Sequence, residues 1–289
     1  MPNAIELASQ YVPVLDEIYR LASLTADLDG APELVRAGAN ANELIIPMLD
    51  MQGLGAYDRN SGYVDGSVTL TNETVKCNFD RGRMFLVDTM DNLETANMAF
   101  GQLSRAFIQQ KVVPELDAFR FASYASAEGI SKVDAGATLT TGENVVKALR
   151  TALTKMDEDE VPTNERYLYI TPTLYGMVQD MDTTKSREVL ARFTKIVQVP
   201  QTRFYTEIDQ KSGKEGEEDG GFAKGADAKD INFMIIHKAA VIQYEKHVAP
   251  KIIPYGQNQT ADGWKFGYRN VGIAKTYANK KAGIYLHHK

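Results

Sequence analysis

Thiol chemistry is nearly missing from this sequence. Cys77 is its one cysteine, so no disulfide can form within the chain, and the chain reads as one made in a reducing compartment. Long apolar runs are missing too. Nothing approaches the ~20 consecutive apolar residues of a membrane-spanning helix. Met1-Pro2-Asn3-Ala4 opens no basic-then-apolar leader of the kind that directs secretion. Neither a membrane partner nor export is therefore expected. An excess of positive charge is absent as well. Lys and Arg number 32 against 38 Asp and Glu, a net charge of −6, which argues against gripping a phosphate backbone with the whole surface and leaves a local basic patch open.

The signatures of catalysis are also absent. There is no G-x-S-x-G nucleophile elbow and no G-x-x-x-x-G-K-[ST] phosphate loop. Gly53-Leu54-Gly55 begins a dinucleotide-like pattern but has neither the third glycine nor a helix behind it, so it reads as turn-forming. None of the four histidines (His237, His247, His287 and His288) has a His, Cys or carboxylate at zinc-site spacing. His237, ending an apolar strand, reads as a capping or packing residue. Cys77, on the dry side of a strand with nothing basic to set beside it, reads as a small buried apolar residue. No catalytic, cofactor-binding or metal-ligating residue is expected, and no cofactor.

What is present is an ordinary globular composition, 44% apolar and 24% charged, enough for one large domain or two modest ones. The first segment places Tyr11, Val14, Leu15, Ile18 and Ala22 on one helical face, with Pro13 as a kink or fresh start, and ends in the turn cluster Asp29-Gly30-Ala31-Pro32. Leu44, Ile45 and Ile46 then form a short strand that stops at Pro47. A glycine-rich stretch follows, with Gly53, Gly55, Gly62, Gly66, Tyr57 and Tyr63 among Asp and Asn. After it Val75, Cys77 and Phe79 alternate with Lys76, Asn78 and Asp80, the period of a strand with one dry face. Two extended limbs joined by a long polar tip dotted with aromatics make a loop too long to be idle in a compact domain. Tyr57, Arg59 and Tyr63 at that tip are either loop decoration or subunit contacts, Tyr and Arg being frequent interface anchors.

The strongest helix signal comes next. Asp91 and Glu94 have capping-box spacing, Ala96, Phe100, Leu103 and Phe107 recur at helical steps, and Leu116, Phe119 and Ser123 resume the pattern beyond Pro114. One helix over 91–127, bent at Pro114, would be roughly 55 Å long at ~1.5 Å per residue. Residues 128–141 are small and polar, a linker. Helix and strand then alternate: a helix over 142–156, a strand over 166–170, a helix opened by Thr171-Pro172, and strands at 196–199 and 231–236, together a small α/β domain. A polar insertion over Asp209–Asp230, with five glycines and both charge signs, reads as a mobile surface loop. The run Asp157-Glu158-Asp159-Glu160 reads as a solvated turn, with a charged contact to a neighbouring subunit or a weak divalent-ion site as the sharper alternatives; acid at a helix C-terminus opposes the helix dipole slightly. Trp264, Phe266 and Tyr268 form the inner face of a sheet in preference to an RNA-stacking platform, and Val271–Tyr277 with Gly283–Leu286 reads as a hairpin around Ala278-Asn279-Lys280-Lys281.

This order of parts resembles the major capsid proteins of tailed phages, an α+β architecture known as the Hong Kong 97 fold. The likeness is carried by Glu43-Leu44-Ile45-Ile46-Pro47, the run Asn72 to Val87, Pro114-Glu115-Leu116-Asp117, Tyr169-Ile170-Thr171-Pro172 and Trp264 to Ala274, and it spans essentially the whole chain. No single motif is diagnostic; the succession is. The resemblance implies an N-terminal arm at 1–42, an extended β-loop over an adjacent subunit at 43–90, a peripheral domain with a spine helix at 91–138, an inserted axial α/β domain at 139–248, and strands returning to the peripheral domain at 249–289. It implies a structural protein and not an enzyme, assembling as hexamers and pentamers into an icosahedral shell around double-stranded DNA, in a virion made in a host bacterial cytoplasm. It also implies portal and decoration proteins and, since the chain enters the arm at once, either a separate scaffolding protein or prior cleavage. A net acidic shell suits a packed genome it must not adhere to. An encapsulin-like bacterial nanocompartment is the nearest rival. A small α/β enzyme or ligand-binding protein using 139–248 is the rival from another class.

Overall fold

The computed structural model describes residues 23–30, 36–37, 43–60, 62–88, 98–133, 135–181, 183–259 and 262–289. The helix expected from Tyr11 to Ala22 and the capping box at Asp91 and Glu94 lie outside them. In the first sheet, β1 (Arg36–Ala37) pairs antiparallel with β2 (Glu43–Met51), and β2 with β3 (Val68–Lys76). The sequence suggests a stop at Pro47, yet β2 runs through it, opposite Asn72. β1 pairs with Leu44 and Ile45 alone. At Pro47 the strand therefore has one neighbour, the position where proline's missing N–H does least harm. After Cys77 and Asn78 the chain leaves this ladder, and β4 (Phe79–Asp88) joins a different sheet.

The spine helix is described as α1 (Met98–Phe107), a π turn at Ile108–Val112, and α2 (Val113–Ala125). Over 98–125 it spans roughly 40 Å at ~1.5 Å per residue. The irregularity has a cause. Pro114 gives no N–H to the ladder, and its ring crowds the carbonyl four residues back, at Gln110 inside the wide turn.

Beyond β5 (Ser131–Lys132), α3 (Gly142–Glu158) starts at Thr141, whose side chain accepts the Asn144 N–H at 3.3 Å. Its buried stripe is Val145, Leu149, Ala152, Leu153 and Met156. Then come β6 (Arg166–Ile170), α4 (Pro172–Met181), α5 (Thr184–Leu190), β7 (Lys195–Gln198), the small hairpin β8 (Ile208–Gln210) and β9 (Phe222–Lys224), and β10 (Ile231–His237). The strand and helix bounds expected here hold within a few residues. α5 was not foreseen; its Thr183–Ser186 capping box carries the signal. The long strands β11 (Val241–Ile253) and β12 (Gly263–Thr276) follow, then β13 (Ile284–His288).

Two larger sheets organise these elements. One has the order β5-β13-β10-β6-β7, the other β11-β12-β4. α3, α4 and α5 cover one face of the first through Leu149, Leu153, Leu174 and Val178 against Leu168, Ile170, Phe233 and Ile235. α2 covers the other, with Phe121 and Tyr124 against Tyr169, Met234 and Ile236. Because both faces are covered, β10 reads Ile-Asn-Phe-Met-Ile-Ile-His with every residue buried, not alternating. The spine also lies on the second sheet, where Ile108, Val113 and Leu116 meet Phe266 and Tyr268. The inner-face reading of that aromatic stripe thus holds for Phe266 and Tyr268, and burial leaves neither ring available to a base.

Three expectations need correction. The hairpin across Ala278–Lys281 does not form: β12 is already paired on both sides, by β11 and β4, while β13 enters the other sheet between β5 and β10. The last strand therefore belongs to the α/β sheet. A boundary at 248/249 also cuts through β11, which is continuous from Val241 to Ile253. Finally, the 209–230 insertion is not a free loop. It folds as β8–β9, and its tip is held by Arg81 and Arg83 of β4.

Candidate functional site

The β2–β3 ladder runs in unbroken register from Glu43 opposite Lys76 to Met51 opposite Val68. At its base Val75 is buried with Ile242 and Ile273, and Cys77 packs beside them, half-buried and not deep as expected. Away from the base the surroundings fall away. The described residues from Met51 to Thr69 are exposed, apart from the half-buried Gly62. The tip closes on itself: Gln52 and Ser67 bond across it, and Asp58 and Gly62 exchange backbone bonds of 3.2 and 2.7 Å. Gly62, at φ +83°, takes the left-handed conformation that this reversal requires.

Tyr57 and Tyr63 meet edge-on at this tip, ring centroids 4.9 Å apart, with Arg59 exposed in the turn between them. Tyr63 is 88% exposed, Val64 68%, Met51 62% and Leu54 fully so. So many large apolar side chains in one short projecting segment leave a patch that a lone soluble subunit would ordinarily bury. Tyr57 and Tyr63 thus touch, and Arg59 lies exposed in the same turn. Leu54, Val64 and Met51 were missed because single aliphatic residues among glycines show no periodicity.

The acidic run lies elsewhere, at the end of α3, and its four members have different jobs. Asp157 is gripped by Arg192 and Arg166 at 2.5 and 2.8 Å; the Arg192 hydrogen bond leads in holding its carboxyl below the usual range. Asp159 takes Lys155 at 2.5 Å. Glu160, with φ +56°, occupies the left-handed position of a Schellman cap: its N–H bonds the Asp157 carbonyl and that of Val161 the Met156 carbonyl. Arg166, 1% exposed, spans the turn by donating to the carbonyls of Val161 and Pro162 as well as to Asp157. Intramolecular partners thus account for Asp157 and Asp159. Among the described residues, no group of three or more His, Cys, Asp or Glu could hold a metal ion.

A buried polar hub escaped the sequence reading. Asp117, fully buried on α2, accepts from Ser23 Oγ at 3.0 Å, the Leu24 N–H at 3.1 Å, Thr25 Oγ1 at 2.8 Å and Arg203 at 3.3 Å. One turn on, Arg120 donates to Thr25 Oγ1 at 2.8 Å and to Glu245 at 2.7 Å. Gln243 completes it, donating to the Thr25 carbonyl and Asp29 while accepting from Tyr124. The hub fastens residues 23–29 to the spine and to β11. A pair of opposite charges three residues apart, set among Leu116, Ala118, Phe119 and Phe121, was the available signal. His237 fills the capping role expected, its Nδ1 accepting the Ala239 N–H. No described helix is long and apolar enough to cross a membrane.

No protein-family model and no curated protein matches the chain. Solved structures do. It is similar to the capsid structure of the cyanophage P-SCSP1u, with TM-score 0.60 and 14% identity over 88% of this chain and 85% of that one. It is similar to the mature capsid of bacteriophage PhiM1, with TM-score 0.57 and 11% identity over 86% and 82%. It is also similar to a virus-like particle from Pyrococcus furiosus, with TM-score 0.56 and 12% identity over 94% and 98%. A projecting two-stranded loop, a spine helix across two sheets and an α/β unit set between the spine and the long strands make this the Hong Kong 97 capsid fold.

Proposed function

We propose that the chain is the major capsid protein of a tailed double-stranded DNA phage, a structural subunit and not an enzyme. The observation that carries this reading is the fold, which it shares over most of its length with phage capsid structures. The exposed apolar tip adds to it, because a shell needs contacts that close by rotation and an arm supplies area that a compact subunit lacks. In this reading copies assemble as hexamers and pentamers into an icosahedral shell. Residues 1–42 act as an arm, 43–90 lie over an adjacent subunit, and the spine with β4, β11 and β12 forms the peripheral domain. The five-stranded sheet with α3–α5 forms the axial domain, which takes in β5 and β13 and gives up β11 relative to a 139–248 division. Tyr57, Arg59 and Tyr63 contact the neighbour. Glu158 and Glu160 remain candidates for contacts at the axial tip, beside Asp157 and Asp159. Partners are further copies, a separate scaffolding protein, portal and decoration proteins, and DNA held without sequence-specific binding. The location is the virion, after synthesis in the host cytoplasm.

Sedimentation and negative-stain imaging of the purified protein test this. Closed megadalton particles are expected, alone or with a scaffold; a subunit that stays monomeric in every condition overturns the proposal. A second reading, an encapsulin-like nanocompartment, is favoured by the likeness to the Pyrococcus furiosus particle over nearly all of both chains. Particle contents separate the two: DNA in one case, an enclosed protein in the other.

A further inference from the structure

β4 is the root of the projecting loop and an outer strand of its sheet. Its inner face is covered in two ways. Phe85 lies under the spine, its ring 4.8 Å from Phe107 and edge-on to it. Arg81 and Arg83 instead lie under the tip of the β8–β9 hairpin. Arg81 donates to the Gly221 carbonyl at 3.2 Å, and Arg83 to those of Glu218 and Asp219 at 2.6 and 3.1 Å.

Three features set this hairpin apart from the units it joins. None of the described buried apolar clusters takes a residue from 205 to 230, and its apolar side chains, Ile208 and Phe222 among them, are only half-buried. Its tip is shaped by glycines at positive φ, Gly213, Gly216, Gly220 and Gly221. At Gly220, φ +62°, a Cβ would come within 2.7 Å of the Arg83 guanidinium, so a side chain there would be strained in its backbone and would displace the end of Arg83. Beneath the hairpin lies a cavity of about 950 Å³, walled by Phe79, Phe107 and Tyr268 and edged by Lys211, Asp219 and Gly221. The hairpin rests on an incompletely filled space. A segment with few apolar contacts and exposed hydrogen bonds sits at the low end of local stability.

We propose that residues 208–224 are a releasable strap. Closed, it ties the root of the projecting loop to the α/β unit through Arg81 and Arg83; open, it frees β4 and widens the cleft beneath it. Its attachment is main-chain carbonyl to guanidinium, and the tip that presents those carbonyls is itself held by Glu217 and Glu218, which accept the Ser212 and Gly216 N–H groups at 2.6 and 2.9 Å. The proposal concerns the single subunit and holds whether or not the chain builds a shell.

Hydrogen exchange on the intact protein tests it. Amides of 211–221 should exchange well before those of β10 and β13 while the fold stays intact. Arg83→Ala and Gly220→Ala, which cut the contact from opposite sides, should each speed that exchange roughly tenfold to a hundredfold, the loss of one or two charge-assisted bonds. Both should leave β10 and β13 unchanged. Arg269→Ala, which removes an ion pair with Asp80 on the same strands, should leave 211–221 as it was. Exchange of 211–221 as slow as the core overturns the strap. So does an Arg83→Ala protein in which β10 and β13 speed up equally, since that marks general loosening.

Discussion

Asn78 and Ala274 pair as two strand residues would, although Asn78 lies in no strand: its Nδ2 donates to the Ala274 carbonyl at 2.8 Å and its Oδ1 accepts the Ala274 N–H at 3.0 Å. A side-chain amide thus bridges the break where the projecting loop meets the long sheet. Asn78→Ala should cost about 1 kcal/mol for the two bonds, partly replaced by water. It should also raise hydrogen exchange at Ala274 more than at residues in the middle of β12. A protein with unchanged exchange there would mean the bridge is dispensable.

Removing the tip from Gly53 to Gly66 should leave a folded subunit, since its described residues are all but fully exposed. Circular dichroism and the melting temperature should stay close to those of the parent, while negative stain shows no closed particles. Normal shells from this deletion would refute the clasping role of the loop.

Glu160 holds φ +56° at the end of α3, where glycine is the usual residue. Glu160→Gly should relieve that conformation and one acidic charge at the helix C-terminus. A gain of about 0.5–1 kcal/mol in denaturant melts is expected. A loss would mean that the Glu160 side chain makes a contact worth more than the strain.

His287 is buried in β13 against Phe233, its Nδ1 3.0 Å from the Asn232 amide nitrogen, and burial pushes its pKa down to about 4. A depressed histidine favours the neutral form in the folded state. The stability it contributes is complete above about pH 6.5 and is lost as pH falls from 6.5 towards 4, on the order of 3 kcal/mol at most. Asp230, held low first by the Lys224 hydrogen bond, loses its contribution only at more acidic pH. His287→Gln should flatten the stability profile between pH 6.5 and 4.5; an unchanged slope would place the titrating group elsewhere.

Asp117→Ala should be the most damaging single change. It removes the acceptor shared by Ser23, Leu24, Thr25 and the partly exposed Arg203 and leaves a hole at a fully buried position, with a cost of about 2–4 kcal/mol. Thermal melts measure it. A loss below about 1 kcal/mol would show that the hub is not what fastens 23–29 to the spine.

Much of this was legible from local pattern. The α3 stripe, β6 at 166–170 and the order of elements follow from side-chain period and capping residues, which act within a few positions. Tyr57, Arg59 and Tyr63 stand out in the sequence because aromatics are rare in a glycine-rich loop, and the structure places them at the exposed tip. Asp117 and Arg120 were not, because a polar pair on a helix looks solvated until the segments that bury it are known. Arg166 was read as the start of a strand, not as the clamp on the acidic turn, for the same reason.

The sequence by itself determined the order of the main elements, since periodicity, proline and glycine operate on neighbouring residues, while the short α5, β8 and β9 left too little period to read. Tertiary structure alone decided which strands pair. β13 lies closest in sequence to β12, but both edges of β12 are occupied by β11 and β4, so β13 pairs with β10. Likewise the 209–230 segment looks free in sequence because its glycines and charges favour water. It is tied down only because the fold brings Arg81 and Arg83, more than a hundred residues away, beneath its carbonyls.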